Sequence, residues 1–299
     1  MDEPPNPVVR ICEDSINEET VIKMQQLLTE LVYASNYIDF AGLDYNITEK
    51  LCQKITRGER VATRVESGDP EYAQAEAALI ALTRPSSFSN IMRSRDEVIN
   101  HIGAFAYAIK HIIFNKELIT EGFLKEVHLM LCADISFTFL GEDNEIRGEY
   151  RTWEIADGHG DDVEKKSVFI RASAVPLYME KFVEDLQGDM LKAERDPTFN
   201  TCRLDMATRY CHRFACIHPF GYGNDRLCRL LLNILLMHYT GHVIIFGDTE
   251  SERDEYLDIM RRCNKRFHEE EDMEVPEEDK KGHHELRSFT FRKAKIALE

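Results

Sequence analysis

The residues of this chain best suited to chemistry are crowded between positions 218 and 229: His218, Gly221, Gly223, Asn224, Arg226 and Arg229. Arg226 and Arg229 are three apart, so on a helix they share a face and can grip one polyphosphate from the side. Asn224 can donate its amide to a phosphate oxygen. His218 can take the proton of an attacking hydroxyl near neutral pH. Gly221 and Gly223 supply the backbone freedom of a tight turn. A loop that ends at a helix start aims free N–H groups and the positive end of the helix dipole at an anion. Types and spacing together describe a phosphate-handling site. It is not a Walker loop, because GxxxxGK[ST] is absent. Tyr222 and Asp225 cut against this reading, one as a neutral phenol and the other as a negative charge.

Such a loop needs two helices to hold it. Pro219 disfavours the helical conformation at His218, so a helix should stop there. Leu227, Leu230, Leu231, Ile234, Leu235 and Met237 resume an apolar helix. Apolar spacing elsewhere predicts helices over about 16–36, 48–58, 72–82, 95–114, 120–133, 174–193, 199–217, 224–239 and 250–266. Ser15 and Glu18 have capping-box spacing before the first of these. Residues 141–172 form the non-helical interruption, with strand-like runs at 150–153 and 167–170 and a polar turn over 157–162. The expectation is an all-α helical bundle with a β-hairpin. A polar tail covers 1–14, N-terminal helices 15–94, a core 95–266, and a charged tail 267–299 that lies loosely on the core or is disordered.

The stretch from His218 to Arg229 resembles the signature of the Fic family, HPFx[D/E]GNGRxxR, at His218, Pro219, Phe220, Gly223, Asn224, Arg226 and Arg229. Further likeness lies in Glu97 to His101 with Ala104, in Gly148 to Thr152 (similar to the family's GxYR segment), in Val175 to Met179, and in Glu252 to Tyr256. The resemblance implies a Fic-fold bundle with a hairpin flap, and an enzyme that moves AMP from ATP to a Ser, Thr or Tyr hydroxyl of a target protein. It implies His218 as general base. Gly223, Asn224, Arg226 and Arg229 would hold the phosphates and Tyr256 the adenine side. The flap at Thr152, Trp153 and Glu154 would dock the target as an added strand.

The family places Asp or Glu where Tyr222 stands, as the ligand of Mg²⁺, and Gly where Asp225 stands. A phenol is a poor ligand for Mg²⁺. Asp225 either takes over as the ligand of Mg²⁺ or Mn²⁺ or repels the nucleotide; two unit charges 4 Å apart interact by roughly 4 kcal/mol at an effective dielectric near 20. The alternatives are therefore a working transferase, a nucleotide- or protein-binding pseudoenzyme, and a Fic enzyme with another phosphate-containing donor. Many family members also carry an inhibitory helix, [S/T]xxxE[G/N], whose acid pairs with the second signature arginine. Ser35 and Asp39 fall at that spacing, with an acid one methylene shorter and Phe40 in place of the small residue.

The whole chain has 299 residues, 34.7 kDa, 43% apolar content and a net charge of −17. That charge argues against a nucleic-acid partner, which calls for a basic face, and against an anionic membrane surface. The acidic start lacks a secretory pattern and no run of about 20 apolar residues occurs, so cytosol or nucleus is expected. The eight cysteines lack CxxC pairs and read as reduced, buried thiols. Cys211, His212, Cys216 and His218 do not share one helix face, which argues against zinc there. Homodimers are frequent in the family, and one is an expectation here.

Overall fold

The computed structural model describes residues 18–62, 64–135, 147–157, 167–195, 203–247 and 249–298. Among them lie ten α-helices: α1 (Glu18–Ile38), α2 (Tyr45–Thr56), α3 (Pro70–Ala81), α4 (Phe88–Ala108), α5 (Glu121–Leu131), α6 (Val175–Arg195), α7 (Arg203–Ile217), α8 (Asn224–Thr240), α9 (Glu250–Asp272) and α10 (His284–Leu298). The class is all-α, as expected. The described strand content is one antiparallel pair, β1 (Ala156–Asp157) with β2 (Ser167–Val168), in the register Ala156 to Val168. The strand-like run at 150–153 is thus not a strand; the hairpin begins later, because Arg151 is drawn inward as described below. Ser15 and most of the 157–162 turn lie outside the described residues.

The core centres on α8. Leu227, Leu230 to Leu232 and Ile234 to Leu236 are all buried, so this helix is apolar on every side, as a central helix must be. Its N-terminus is set by Gly223 and its C-terminus by Gly241, both left-handed, at φ 75° and 72°. α7 packs along α8 on one side, and α1, α5 and the π-helical turn that follows α4 (Ile109–Phe114) also reach it. No described helix is long and apolar enough to cross a membrane.

The charged C-terminal stretch is not loose. α9 runs on to Asp272, and α10 docks on α7 and α9. Leu286 and Phe289, three apart, are buried, and Phe289 stacks on Phe246 at 5.2 Å. The charges serve as fasteners: Arg213 pairs with Glu277, Lys280 with Glu271 and Glu277, and Arg287 with Asp205. A charge run read from sequence alone looks solvated; here the acids and bases find each other across helices.

Candidate active site

His218 ends α7 in a left-handed conformation, φ 50°, with its N–H donating to the Phe214 carbonyl at 3.0 Å. Such a φ is uncommon for a non-glycine residue and marks an over-determined position. Arg151 is what determines it. Its buried guanidinium donates to the carbonyls of His218 (2.7 Å), Trp153 (3.0 Å), Ile217 (3.3 Å) and Ile170. Its own N–H donates to Pro219 at 2.9 Å. One side chain therefore ties both arms of the hairpin to the loop. The GxYR likeness marked this arginine without revealing its role.

The loop is pinned from two further sides. Asn224 accepts from the Phe220 N–H at 2.9 Å and donates to the Phe220 carbonyl at 2.8 Å. The amide thus closes the loop, with one of its two N–H donors spent on the Phe220 carbonyl. His128 donates from Nε2 to the Tyr222 carbonyl (2.8 Å), accepts at Nδ1 from the Gly148 N–H (2.9 Å), and stacks on Phe220 at 3.8 Å. Both ring nitrogens are used by the neutral form, and burial pushes its pKa down to about 4. Trp153 lies over Gly221, where a Cβ would come 2.6 Å from its ring.

Four histidines here share that depression. Burial, then the Arg151 charge, lower His218 to about 3, and the nearby Ala215 carbonyl opposes this without an ordinary hydrogen bond at Nδ1. Burial also takes His212 down to about 4, and His101 well below its usual value, helped by Arg226 and Arg229. The unfolded chain takes up protons below about pH 6.5 that the fold refuses, so stability present above that pH is lost as pH falls toward about 4. Each histidine contributes up to about 1.4 kcal/mol per pH unit in that window. The thermal midpoint should fall steeply from about pH 7 to about pH 5; a flat profile by circular dichroism would contradict the burial of neutral imidazoles.

Arg226 and Arg229 sit side by side in the interior of the site. Arg226 is fully buried, its guanidinium 4.9 Å from the Tyr222 ring centre, and none of its three nitrogens has a hydrogen-bond partner. Arg229 donates to the Ser35 Oγ and carbonyl, both at 2.8 Å, and lies 2.8 Å from the Asp39 carboxylate and 5.8 Å from the Tyr256 ring centre. Its remaining NH1 is unpartnered. Asp39 also lies 3.9 Å from Arg226. The structure thus brings Ser35, Asp39, Arg226, Arg229 and Tyr256 together, with the end of α1 seated on the second arginine. Burial works against the Arg229 charge; Asp39, Tyr256 and Asp225 more than offset it and push its pKa up. Phe40, left-handed at φ 51°, lies under the Arg253 guanidinium at 3.8 Å, which secures the turn after Asp39.

The surroundings of Tyr222 do not fit a Mg²⁺ ion. Its hydroxyl donates to Glu97 and accepts from Arg93, each at 3.1 Å. The Glu97 oxygens are also occupied, by Arg93 Nε at 3.1 Å and by the Gly42 N–H at 2.7 Å. Two guanidiniums flank the phenol, and a dication wants carboxylate oxygens instead. Asp225 bears electrostatically on Arg229, Tyr256 and Cys228, so its charge is engaged in balancing an arginine.

In the flap, Thr152 is exposed, while Glu154 accepts from the Ala172 N–H at 3.1 Å. Asn264 (3.0 Å) and His268 (2.7 Å) both donate to the Val168 carbonyl and bind β2 to α9. Phe169 stacks on the His218 ring at 3.8 Å. Trp153 and Glu154 therefore hold the flap in place, although Glu154, like Thr152, is exposed.

A comparison with curated protein sequences gives no match. Among solved structures, a Fic domain containing signaling protein from Bacteroides thetaiotaomicron is similar over 87% of this chain and 80% of that one, at 17% identity and a TM-score of 0.58. A Fic family protein from Desulfovibrio desulfuricans is similar over 100% and 75%, at 17% identity and a TM-score of 0.54. Fic-1 (residues 134–508) from C. elegans is similar over 86% of this chain and 62% of that one, at 16% identity and a TM-score of 0.56. At these identities the likeness is one of fold. The model of the Fic/DOC family matches residues 118–236, which hold α5 to α7, the flap, the loop and most of α8, and the chain thus carries a Fic/DOC family domain.

Proposed function

We propose that this protein is a Fic-type protein nucleotidyltransferase, moving AMP from ATP to a Ser, Thr or Tyr hydroxyl of a target protein, with α1 closing its phosphate side at rest. The observation that carries the reading is the Arg226 guanidinium, fully buried with no hydrogen-bond partner at any of its nitrogens. A buried cation with unmet donors is costly, and a polyphosphate seated on Arg226 and Arg229 meets them. His218, neutral at physiological pH, accepts the hydroxyl proton; the target oxygen bonds the α-phosphorus, the bond to the bridging oxygen breaks, and pyrophosphate leaves. Phe169 must move off the imidazole for that hydroxyl to approach. A target segment added to the hairpin would use β1, since α9 holds the Val168 carbonyl of β2.

Labelled ATP with lysate tests this. Label should transfer with Asp39→Ala and vanish in Asp39→Ala/His218→Ala; equal labelling by the two rejects the reading. The clamp on Tyr222 favours a second reading, a domain that binds a nucleotide or protein without transfer. A Tyr222→Asp/Asp225→Gly variant separates the two: if only this variant gains Mg²⁺-dependent labelling, the second reading holds. Calorimetry with ATP, ADP and CDP-choline identifies the donor.

A further inference from the structure

We propose that Asp205, His283 and His284 bind a first-row divalent transition metal of the zinc type, which clips α10 to the start of α7. The three side chains each offer a ligand atom, and these atoms all lie within 4.8 Å of one another. Asp205 stands in the first turn of α7, and the two histidines open α10. Two imidazoles and a carboxylate are the donors that zinc takes, at about 2.0–2.2 Å each. Bonds of that length put neighbouring ligand atoms about 3.4 Å apart in a tetrahedron. The cluster is already near that size, and His284 is exposed and has room to close the remainder.

The backbone is built to present these histidines. The Glu270 carboxylate accepts from the N–H groups of Lys281 (2.8 Å) and Gly282 (3.0 Å), which fixes the chain just before them. Gly282 has no space for a side chain: a Cβ would come 2.8 Å from His212 and 3.1 Å from Glu270. His283 is buried with Nε2 3.1 Å from Asp205 Oδ1, and the His284 ring stands nearly perpendicular to it at 4.8 Å. Arg287 donates to the same Asp205 oxygen at 2.9 Å. It is the cation that occupies the place, partly exposed and free to swing outward, so metal and guanidinium compete for one carboxylate. This separates a metal site from a plain ion pair: removing Arg287 weakens the pair but opens the site.

The test uses the full chain without a histidine tag. Co²⁺ is titrated and followed by its visible absorption, then displaced with Zn²⁺. Wild type should give a saturable tetrahedral-type spectrum that Zn²⁺ removes. His284→Ala, an exposed change that leaves the fold intact, should bind at least tenfold more weakly, and Arg287→Ala more tightly than wild type. Zn²⁺ should raise the thermal midpoint of wild type and not that of His284→Ala. Absence of the spectrum, or equal affinity in wild type and His284→Ala, overturns the proposal.

Discussion

Asp39→Ala is expected to raise ATP affinity at least tenfold and to increase self-labelling in step. The Asp39 carboxylate lies 2.8 Å from Arg229 and 3.9 Å from Arg226, where a nucleotide's terminal phosphates would have to compete with it. At an effective dielectric near 20, opposite charges about 4 Å apart attract by roughly 4 kcal/mol. About 1.4 kcal/mol is tenfold in binding, so a third of that attraction suffices. Asp39→Asn keeps the shape and loses the charge, and should lie between wild type and alanine. Ser35→Ala removes one hydrogen bond of 2.8 Å and should have a smaller effect, because the Ser35 carbonyl still holds the same guanidinium. Calorimetry with ATP measures all three. Affinity unchanged in Asp39→Ala would mean that the end of α1 does not stand in the nucleotide's way.

Arg151→Ala should cost about 4 kcal/mol of stability, among the largest single losses in the molecule. Hydrogen bonds from a charged donor contribute roughly 1.5–3 kcal/mol each, and removing the donor strands buried acceptors. Arg151 serves the carbonyls of Trp153, Ile170, Ile217 and His218 at once. Lysine is a poor replacement, since a point charge on a flexible stem cannot reproduce a planar fork; Arg151→Lys should recover less than half the loss. Urea denaturation of the variants measures it. A loss below about 1 kcal/mol would mean that the Pro219 backbone bond and the Phe169 stack hold flap and loop without the guanidinium.

Much of this site could be read along the chain because it depends on near neighbours. Pro219 stops α7, Gly223 opens α8, and a spacing of three puts Arg226 and Arg229 on one face. The pairing of Ser35 and Asp39 with Arg229 was also legible, through a motif spacing. What stayed hidden depends on partners brought together only by folding. The side-chain type of Asn224 suits a phosphate donor; that its amide also closes its own loop depends on where Phe220 is held, against His128. Glu97 and Tyr222 are 125 positions apart, and nothing local announces that they bond. The C-terminal acids and bases looked solvated because periodicity there is weak and the contacts that order them lie on α7 and α9.

Glu97 gives the substitution at Tyr222 a consequence of its own. The phenol can stand beside a buried carboxylate because its O–H is a donor, and an acid placed there has none to give when ionised. Tyr222→Asp would set two anions next to each other in a site almost closed to water. Such a pair would draw on the Arg93 and Arg226 guanidiniums beside the position, and the charge they leave uncompensated would raise the pKa of one member or favour a dication between the two. Tyr222→Asp would thus make the pocket more receptive to a metal ion before any nucleotide arrives. In the natural chain the tyrosine hydroxyl donates to Glu97 while Arg93 balances the Glu97 charge, so the carboxylate is satisfied without a metal ion.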